Sequence, residues 1–596
     1  MLRILAIQAY DRNSPESFLS VPLGIYRMGY WVEAKVPNVQ FAFYDPNIDY
    51  PRGLEQAQKF LKEGMDGKGP YDVVAFSPLH FTLEHDLSIM YAASTASPNS
   101  LFVAGGQQAA FANRQLFSNW TELDVVFVGE GEKPMTELAK KVQAYGVSRL
   151  KENPLLMQDI PGVRLRGRPG ITPPNPAMNH DEFVEATTRL DFGPRMRSED
   201  YWNWIERNYT PEQLKDINLL RKIRVVKPYT TNYCPMDCSF CSTTNFYKDA
   251  GDGMAKVRGL RGKELSDYVR KILDTNQSAL TVYFKDDLWF IRGAETHTPP
   301  PKAFTESIKK LIPGDCPLEY DKDSRGLVSD LAELDAVRTD PKYADRGITY
   351  FAKARVDTFV RKDLSVDWHL LAASKQAGFN SISFGVESFD RAELDHFNKR
   401  LGVNGPAMNR KALEACKSMD IHVVAYMILS SDISTPDSIM TSVDEAAVLS
   451  HEGHTIKINP FLYSLPGTTL AALQEKKESA STVERYPVPG YPQKIIERVI
   501  RIFPENTTAR DLMIQFEERL PAYKQAMKEK LASSHWISEL GTPTQFKLLL
   551  ELAKEMKLQP KNTNTGQAIP LDERIAMLER DLEANKLAQG KMLTFA

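Results

Sequence analysis

The sequence contains little cysteine and no long apolar run. Five of its 596 residues are cysteines, and the first occurs at position 234. Such scarcity argues against a disulfide framework and is typical of a reducing compartment. No stretch of about 20 apolar residues occurs, and the short N-terminal apolar run passes directly into polar residues, so we expect neither a membrane span nor a signal peptide. The sequence therefore predicts a cytoplasmic protein.

The chain also lacks an excess of charge of either sign. Its 74 basic and 77 acidic side chains give a net charge of -3, which offers no electrostatic basis for binding nucleic acid or an anionic membrane. The apolar fraction of 42% and the charged fraction of 25% are those of globular domains. A length of 596 residues exceeds what one hydrophobic core usually supports, so we expect two to four domains.

Three of the five cysteines lie in one short segment, TNYCPMDCSFCSTTNF, where Cys234, Cys238 and Cys241 form a CxxxCxxC array. Three thiolates on one loop can bind three irons of a [4Fe-4S] cluster and leave the fourth iron open to a small molecule. A zinc site would usually need a fourth ligand at a defined spacing, but the nearest histidines, His180 and His297, are far away in the sequence. We therefore predict an iron–sulfur cluster at this loop.

Short apolar runs alternate with helical patterns up to about residue 142. They are LRILAIQA, VQFAFYD, DVVAFS, LFVAGG and DVVFVGEGE, at residues 2–9, 39–45, 72–77, 101–106 and 124–132. This alternation predicts βαβ units and a doubly wound, Rossmann-like parallel sheet. Ligands of such sheets bind beyond the carboxyl ends of the strands. The positions at those ends are residues 11–13, 45, 77–80, 105–108 and 129–132.

Two of these strand ends carry motifs that resemble the cobalamin-binding domains of methionine synthase and its relatives. Those domains have the motifs DxHxxG, SxL and GG. Here Ser77 and Leu79 match the second motif, and Gly105 and Gly106 match the third. In place of the cobalt-ligating histidine of the first motif the chain has Asn13. The resemblance therefore implies a corrin site without a histidine ligand from that loop.

This departure leaves three interpretations open. The cobalt would have no protein ligand, a nearby side chain such as His80 would approach it, or the domain would have lost the cofactor. Gly129 and Glu130, in the segment GEGE, also resemble positions of this domain in radical enzymes and are further candidates for contacts with cobalamin. The alternative for GEGE is an ordinary polar turn.

The cysteine loop also has an aromatic residue, Phe240, directly before its last cysteine. The pattern CxxxCxΦC resembles that of the radical S-adenosylmethionine (SAM) superfamily. Apolar runs follow at residues 281–287, 348–357, 381–388, 422–429 and 458–468, with helical stretches between them. The resemblance implies a partial (β/α)6 barrel whose active site lies at the carboxyl ends of its strands.

The same resemblance implies where SAM would bind. SAM would chelate the open iron through its amine and carboxylate, so it needs an acidic group, a basic group and an acceptor for the ribose hydroxyls. Asp286 and Asp287 resemble a DD variant of the superfamily's GGE element and are the candidates for the ammonium side. Arg355 is the candidate for the carboxylate, and Glu387 with Ser388 for the ribose.

The predicted organisation has three domains and a linker. A cobalamin-binding-like domain covers residues 1–142, and the partial barrel covers 221–470. In the linker, residues 143–220, the stretch 152–183 is rich in Pro and Gly and shows no sustained period, which is typical of a linker with at most a small hairpin at PGVRLRG. Residues 198–220 are polar with scattered aromatics, and we interpret them as an amphipathic helix between the domains, a cover over the active site, or ordinary packing. Helical periods dominate residues 471–596 and predict a helical C-terminal region.

Together these resemblances imply a cobalamin-dependent radical SAM enzyme. The expected reaction is methylation of an unactivated carbon, or a phosphinate-like centre, of a small molecule or peptide through a 5′-deoxyadenosyl radical and methylcobalamin. Cyclisation, ring contraction, carbon–carbon coupling or sulfur insertion, with or without cobalamin, is the alternative within the class. Methylthiotransferases are disfavoured because they carry a second N-terminal cluster, and residues 1–233 contain no cysteine.

A non-catalytic cobalamin carrier is the alternative from another class, and the intact cysteine triad argues against it. The expected partners are the substrate and an electron donor such as flavodoxin or ferredoxin. We expect neither nucleic acid nor a membrane as a partner.

Overall fold

The computed structural model describes residues 1–9, 20–48, 54–168, 170, 172–250, 256–292, 299–314, 322–474, 481–531 and 541–587. The predicted ligand-binding positions 11–13, which include Asn13, lie outside the described residues, as do His297 and Cys316. Among the helices of the described ranges, none is long and apolar enough to cross a membrane.

The first sheet has six strands within the described residues: β1 (Leu2–Gln8), β2 (Val39–Tyr44), β3 (Val73–Ser77), β4 (Leu101–Ala104), β5 (Val125–Phe127) and β6 (Val163–Leu165). Their order is β2-β1-β3-β4-β5-β6, and only β6 is antiparallel to its neighbour. The five predicted strands of this region are therefore confirmed. Strand order reverses between β1 and β3, which makes the carboxyl ends of these two strands the expected ligand position.

Helices cover both faces of this sheet. They are α1 (Leu23–Lys35), α2 (Leu54–Glu63), α3 (Leu83–Ala96), α4 (Gly106–Phe111), α5 (Asn113–Asn119) and α6 (Glu132–Tyr145). Ile4 and Ala6 of β1 belong to a core shared with α1 and α6, whereas Leu5 and Ile7 belong to a separate core shared with α2 to α5. Since alternate residues of a strand point to opposite faces, the sheet is doubly wound as predicted.

Residues 143–220 contain more regular structure than their composition predicts. They form β6 and four helices, α7 (Val147–Glu152), α8 (His180–Thr188), α9 (Ser198–Glu206) and α10 (Ile217–Ile223). The lack of a sustained period over 152–183 therefore hides regular structure, and PGVRLRG supplies the edge strand of the first sheet. The helices α9 and α10 lie in the stretch 198–220, for which an amphipathic helix is one of the interpretations. These helices are short, so packing and caps stabilise them more than propensity does. Asn179, for example, forms a capping box with Glu182 at the start of α8.

The second sheet has six parallel strands in the described residues: β7 (Val225–Val226), β8 (Thr281–Phe284), β9 (Thr349–Ala354), β10 (Phe379–Glu387), β11 (His422–Ile428) and β12 (Thr455–Asn459). They lie side by side in sequence order, as in (β/α) barrels. The helices of this region are α11 (Thr243–Asp249), α12 (Gly262–Thr275), α13 (Lys302–Lys309), α14 (Arg325–Arg338), α15 (Trp368–Ala377), α16 (Arg391–His396), α17 (Gly405–Ser418) and α18 (Pro436–His451).

One face of this sheet packs on helices, and the other face is concave. Phe284 and Tyr350 point into the core shared with the helices, whereas their neighbours Tyr283 and Phe351 stack on each other with ring centres 4.3 Å apart. Burial, followed by the charge of Tyr426, raises the pKa of the Tyr283 phenol. Six parallel strands that lie side by side in sequence order form a curved sheet in (β/α) barrels, and this face is the inner one. We call it the concave face.

The C-terminal region differs from the prediction. It contains the helices α19 (Thr469–Gln474), α20 (Thr507–Leu531), α21 (Gly541–Glu555) and α22 (Leu571–Leu587), but also a sheet of β13 (Leu462–Tyr463), β14 (Ser481–Val488) and β15 (Tyr491–Ile502). The predicted helical region therefore also contains a β-hairpin. Pro487 and Pro492 hide the β14–β15 hairpin in the sequence, because proline ordinarily argues against a strand. The hairpin reaches the first sheet, where Val488 and Ile496 join its core.

Candidate active site

The cysteine loop follows β7 and is anchored beside the carboxyl ends of the second sheet. Cys234, Cys238 and Cys241 carry unoxidised, partly buried thiols. The amide of Cys241 donates to the carbonyl of Cys238 (3.1 Å). Phe240 packs edge to face on Phe397, with ring centres 5.5 Å apart. The aromatic residue of the motif thus attaches the loop to the segment after α16.

The electrostatics of the three thiols suit a metal cluster. Burial, with a smaller contribution from the other two cysteines, raises the pKa of Cys234 to about 12. Burial also raises the pKa of Cys241. Thiolates in such a place need a nearby positive charge, which bound iron supplies.

A single metal ion fits this part of the structure less well. In the described ranges, no three His, Cys, Asp or Glu side chains are arranged to hold one metal ion. A [4Fe-4S] cluster takes one thiolate at each of three irons, so its ligands need not converge on one point. The donor set is therefore compatible with the predicted cluster.

Arg355 borders the cysteine loop. It directly follows β9, and its NH1 group lies 3.6 Å from Sγ of Cys238. Its other nitrogens bind both carboxylate oxygens of Asp357 (2.9 Å each) and the carbonyl of Lys399 (2.5 Å). These contacts fix the guanidinium plane and leave NH1 directed at the loop.

The two aspartates after β8 have different environments. Asp286 is 1% exposed and accepts hydrogen bonds from the amides and hydroxyls of Thr230 and Thr231, at 2.5 to 2.9 Å. It therefore holds the segment that joins β7 to the cysteine loop. Asp287 is exposed, and its Oδ2 accepts from the hydroxyl of Thr243 (3.1 Å). Of the predicted pair, only Asp287 presents its carboxylate beside the cysteines.

The side chains of Glu387 and Ser388 also have different environments. Glu387 ends β10 in a left-handed conformation (φ 63°), and its Oε1 lies 3.2 Å from Nζ of the buried Lys399. A non-glycine residue there is strained, which is a frequent property of functional positions. Ser388 is buried, bonds Ser442 of α18 (2.9 Å) and accepts from the amide of Asp390 (3.0 Å). Ser388 is thus engaged in packing.

The motif residues of the first sheet gather at the ends of β3 and β4. Gly106 has φ +88°, and a Cβ added there would lie 3.3 Å from Oγ of Ser77, so the two positions adjoin. Leu79 is 47% exposed, whereas His80 is buried and its carbonyl accepts from Arg498 of the β14–β15 hairpin.

A narrow, partly open cleft lies at the switch point of the first sheet. Its lining includes Ile7, Gln8 and Ala9 at the end of β1, and Ser77 and Pro78 at the end of β3. The SxL motif therefore opens onto the place where the strand order predicts a ligand.

Gly129 and Glu130 make protein contacts. Gly129 has φ +84°, and a Cβ there would lie 2.8 Å from Cβ of Ala250, directly after α11. The carboxylate of Glu130 accepts from the amide of Met178 (2.7 Å) and lies 3.4 Å from NH2 of Arg27. Both residues join the first sheet to neighbouring segments, and their contact with cobalamin stays a prediction.

Contacts that the sequence did not indicate join the cysteine loop to the first sheet. The hydroxyl of Ser242 donates to Oε1 of Gln107 (3.0 Å), which follows β4. The rings of Phe246 and Phe111 meet edge to face. Thr243 accepts from the thiol of Cys241 (3.5 Å) while it donates to Asp287. The candidate cluster site and the GG motif therefore lie against each other.

This arrangement is the fold of cobalamin-dependent radical SAM enzymes, and known structures of that class are similar over nearly the whole chain. The enzyme OxsB with aqua-cobalamin bound has a TM-score of 0.59 and 14% identity, over 98% of this chain and 81% of that one. The methyltransferase TsrM from Kitasatospora setae, with tryptophan and a SAM analogue bound, has a TM-score of 0.57 and 13% identity, over 99% of this chain and 100% of that one.

Relatives found by sequence are longer than this chain and match it over part of their length. An anaerobic magnesium-protoporphyrin IX monomethyl ester cyclase of Cereibacter sphaeroides is 24% identical over 68% of this chain and 53% of its own. A hopanoid C-3 methylase of Methylococcus capsulatus is 23% identical over 64% of this chain and 56% of its own. The chain thus spans about half the length of the curated relatives it matches. No protein-family model matches it.

Proposed function

We propose that this chain is a cobalamin-dependent radical SAM enzyme that methylates an unactivated carbon, or a phosphinate-like centre, of a small molecule or peptide. The observation that carries the proposal is the contact between the cysteine loop and the GG end of the first sheet, through Ser242 and Gln107. It supports two adjacent cofactor sites, one for a cluster with SAM and one for a corrin. Two similar structures, OxsB and TsrM, are radical SAM enzymes, and OxsB was solved with cobalamin bound, which supports both cofactors. Other similar proteins include a methylase, which supports C-methylation, and a cyclase, which supports ring closure.

The site residues are assigned to three ligands: the cluster, SAM and the corrin. Cys234, Cys238 and Cys241 would hold the cluster, with Arg355 beside Cys238. Asp287, held by Thr243, would accept from the SAM ammonium, and Glu387 would lie near the ribose. Ser77, Leu79, Gly105 and Gly106 would line the corrin site. When bound, these cofactors supply an electron, a substrate radical and a methyl group. The chain orients the reactants and keeps water out.

The proposed enzyme has three domains and depends on an external electron donor. Residues 1–142 would form the corrin-binding domain, 221–470 the partial barrel, and 471–596 a C-terminal domain that closes the site. The protein would work in the cytoplasm with a flavodoxin or ferredoxin as electron donor. The match to the cyclase supports ring closure as the alternative reaction.

Anaerobic reconstitution tests the cofactor content directly. We expect about four irons per chain, and a corrin spectrum in protein made with a cobalamin supply. Iron without corrin under that supply would contradict the cobalamin part of the proposal. Absence of both would contradict the whole. Methylated product would separate methyl transfer from ring closure, which changes the substrate mass by loss of hydrogen.

A further inference from the structure

Three lysines converge on the concave face, one layer below the candidate active site. Lys227 directly follows β7, Lys285 directly follows β8, and Lys353 lies in β9. Tyr283 pairs with Phe351 in the parallel register. Two residues further along both strands, Lys285 and Lys353 are therefore opposite each other and on the same face. We call Lys227, Lys285 and Lys353 the lysine cluster.

The members of the lysine cluster lie close enough to repel one another. Nζ of Lys285 lies 5.8 Å from the centre of the Tyr283 ring, which places it on the concave face. Burial and then the charge of Lys353 lower the pKa of Lys285 to about 8. Burial and then Lys285 lower the pKa of Lys227 to about 7. The concave face therefore holds concentrated positive charge.

The charges of Lys285 and Lys353 are not neutralised within the described residues. Within those residues, neither Lys285 nor Lys353 forms an ion pair with a carboxylate. The charge of Asp287 raises the pKa of Lys285, but this effect is smaller than the lowering by burial and by Lys353. Like charges on neighbouring strands destabilise a sheet, and a desolvated cation needs an anion. A bound anion would supply this missing partner.

A second observation on the same face also indicates a ligand. Ser381 of β10 is opposite Phe351, and its hydroxyl is fully buried with no hydrogen-bond partner among the described residues. Native proteins rarely leave such a group unsatisfied. The side chains of Lys227, Lys285 and Lys353 are only partly buried, so a ligand can reach them from the open side of the sheet.

We propose that the lysine cluster binds an oxyanion of the substrate, a carboxylate or a phosphate. The inference rests on the proposed function, which puts the reaction beside Asp287 and Arg355. These residues follow Lys285 and Lys353 by two positions, a rise of about 7 Å. An anionic end held at the lysines leaves the rest of the substrate directed toward the cysteine loop. The stacked rings of Tyr283 and Phe351 lie two residues before the lysines, on the side away from the cysteine loop, and form an apolar floor beneath the bound anion.

Trace acetylation of the full chain with acetic anhydride tests this site without substrate or SAM. Inorganic phosphate and succinate are the two probes, and peptide mass spectrometry measures each lysine. A probe at ten times its dissociation constant should slow the labelling of Lys285 and Lys353 about tenfold. Lys411, exposed on α17, is the matched control and should be labelled equally with and without the probe.

The two probes separate the sources of the anion. Protection by phosphate alone supports a phosphorylated substrate, and protection by succinate supports a carboxylate. Protection by neither overturns the proposal, as does equal protection of Lys411. Iron content and 5′-deoxyadenosine formation are measured separately, so failure of the proposed function and failure of this site remain distinguishable.

Thermal unfolding of Lys353→Met provides a second test. Without a probe, the variant should unfold at or above the temperature of the natural chain, because one of two repelling charges is gone. The rise in Tm that a protective probe produces in the natural chain should be lost. A variant that is less stable without the probe, or that keeps the full rise, would overturn the proposal, since Lys353 would then be a structural cation.

Discussion

The hydroxyl of Thr243 donates to the carboxylate of Asp287 across 3.1 Å. The same hydroxyl accepts from the thiol of Cys241, at 3.5 Å. Thr243 thus connects a cluster ligand to the carboxylate that we assign to the SAM ammonium.

Removing this hydroxyl should weaken SAM binding without loss of the cluster. We expect Thr243→Ala to raise KM for SAM about tenfold, equivalent to about 1.4 kcal/mol for one hydrogen bond to a charged group. The measurement is 5′-deoxyadenosine formation against SAM concentration. Thr243→Ser keeps the hydroxyl and is the control. Equal KM values for the Ala and Ser variants would contradict this role.

Substitutions at the two neighbouring aspartates should have different effects. Asp286→Asn replaces an acceptor of four hydrogen bonds by an amide, and should lower the free energy of unfolding by about 3 kcal/mol. Asp287→Asn should leave stability nearly unchanged and reduce SAM cleavage. Urea unfolding and 5′-deoxyadenosine formation measure the two quantities. An Asp286→Asn chain with normal stability, full iron content and no SAM cleavage would reverse the assignment.

These aspartates show how far the sequence could predict the site. Hydrophobic periodicity predicted the parallel strands and therefore which residues end them. It could not decide which member of the Asp286–Asp287 pair turns inward, since that depends on donors from Thr230 and Thr231 more than 50 residues earlier. The contact of Gly129 with Ala250 was hidden for the same reason, because it joins segments remote in sequence.

Gly129→Ala should loosen the contact between the first sheet and the segment after α11. The new Cβ would meet Cβ of Ala250 at 2.8 Å and Nδ2 of Asn175 at 3.0 Å. We expect a loss of about 2 kcal/mol or more in unfolding free energy, from backbone strain plus this clash. Gly146→Ala is the matched control, since Gly146 also has positive φ (+76°) but nothing within 4 Å of its Cβ position. Equal losses in the two variants would contradict a packing role for Gly129.

The buried His454 and the half-buried His422 should make the fold sensitive to acid. Burial lowers the pKa of His422 and of His454 to about 4. The ordinary histidine value in the unfolded chain is about 6.5, so stability is full above pH 6.5 and falls as the pH drops from there to about 4. Each group contributes at most about 3 kcal/mol to this loss.

The substitution His454→Phe checks this expectation. It removes one titrating group, so urea unfolding midpoints at pH 7 and pH 5 should differ less than in the natural chain. His180→Phe, at an exposed site, should keep the original difference. An unchanged pH dependence in His454→Phe would show that other groups control acid stability.

The central claim is that the cysteine loop holds a cluster that cleaves SAM. Anaerobic 5′-deoxyadenosine formation after reconstitution, compared between Cys238→Ala and Cys416→Ala, tests it most directly. Cys416 is buried in α17, away from the triad, and its variant should keep the activity. We predict that Cys238→Ala abolishes 5′-deoxyadenosine formation. Persistence of that product in Cys238→Ala would contradict the account.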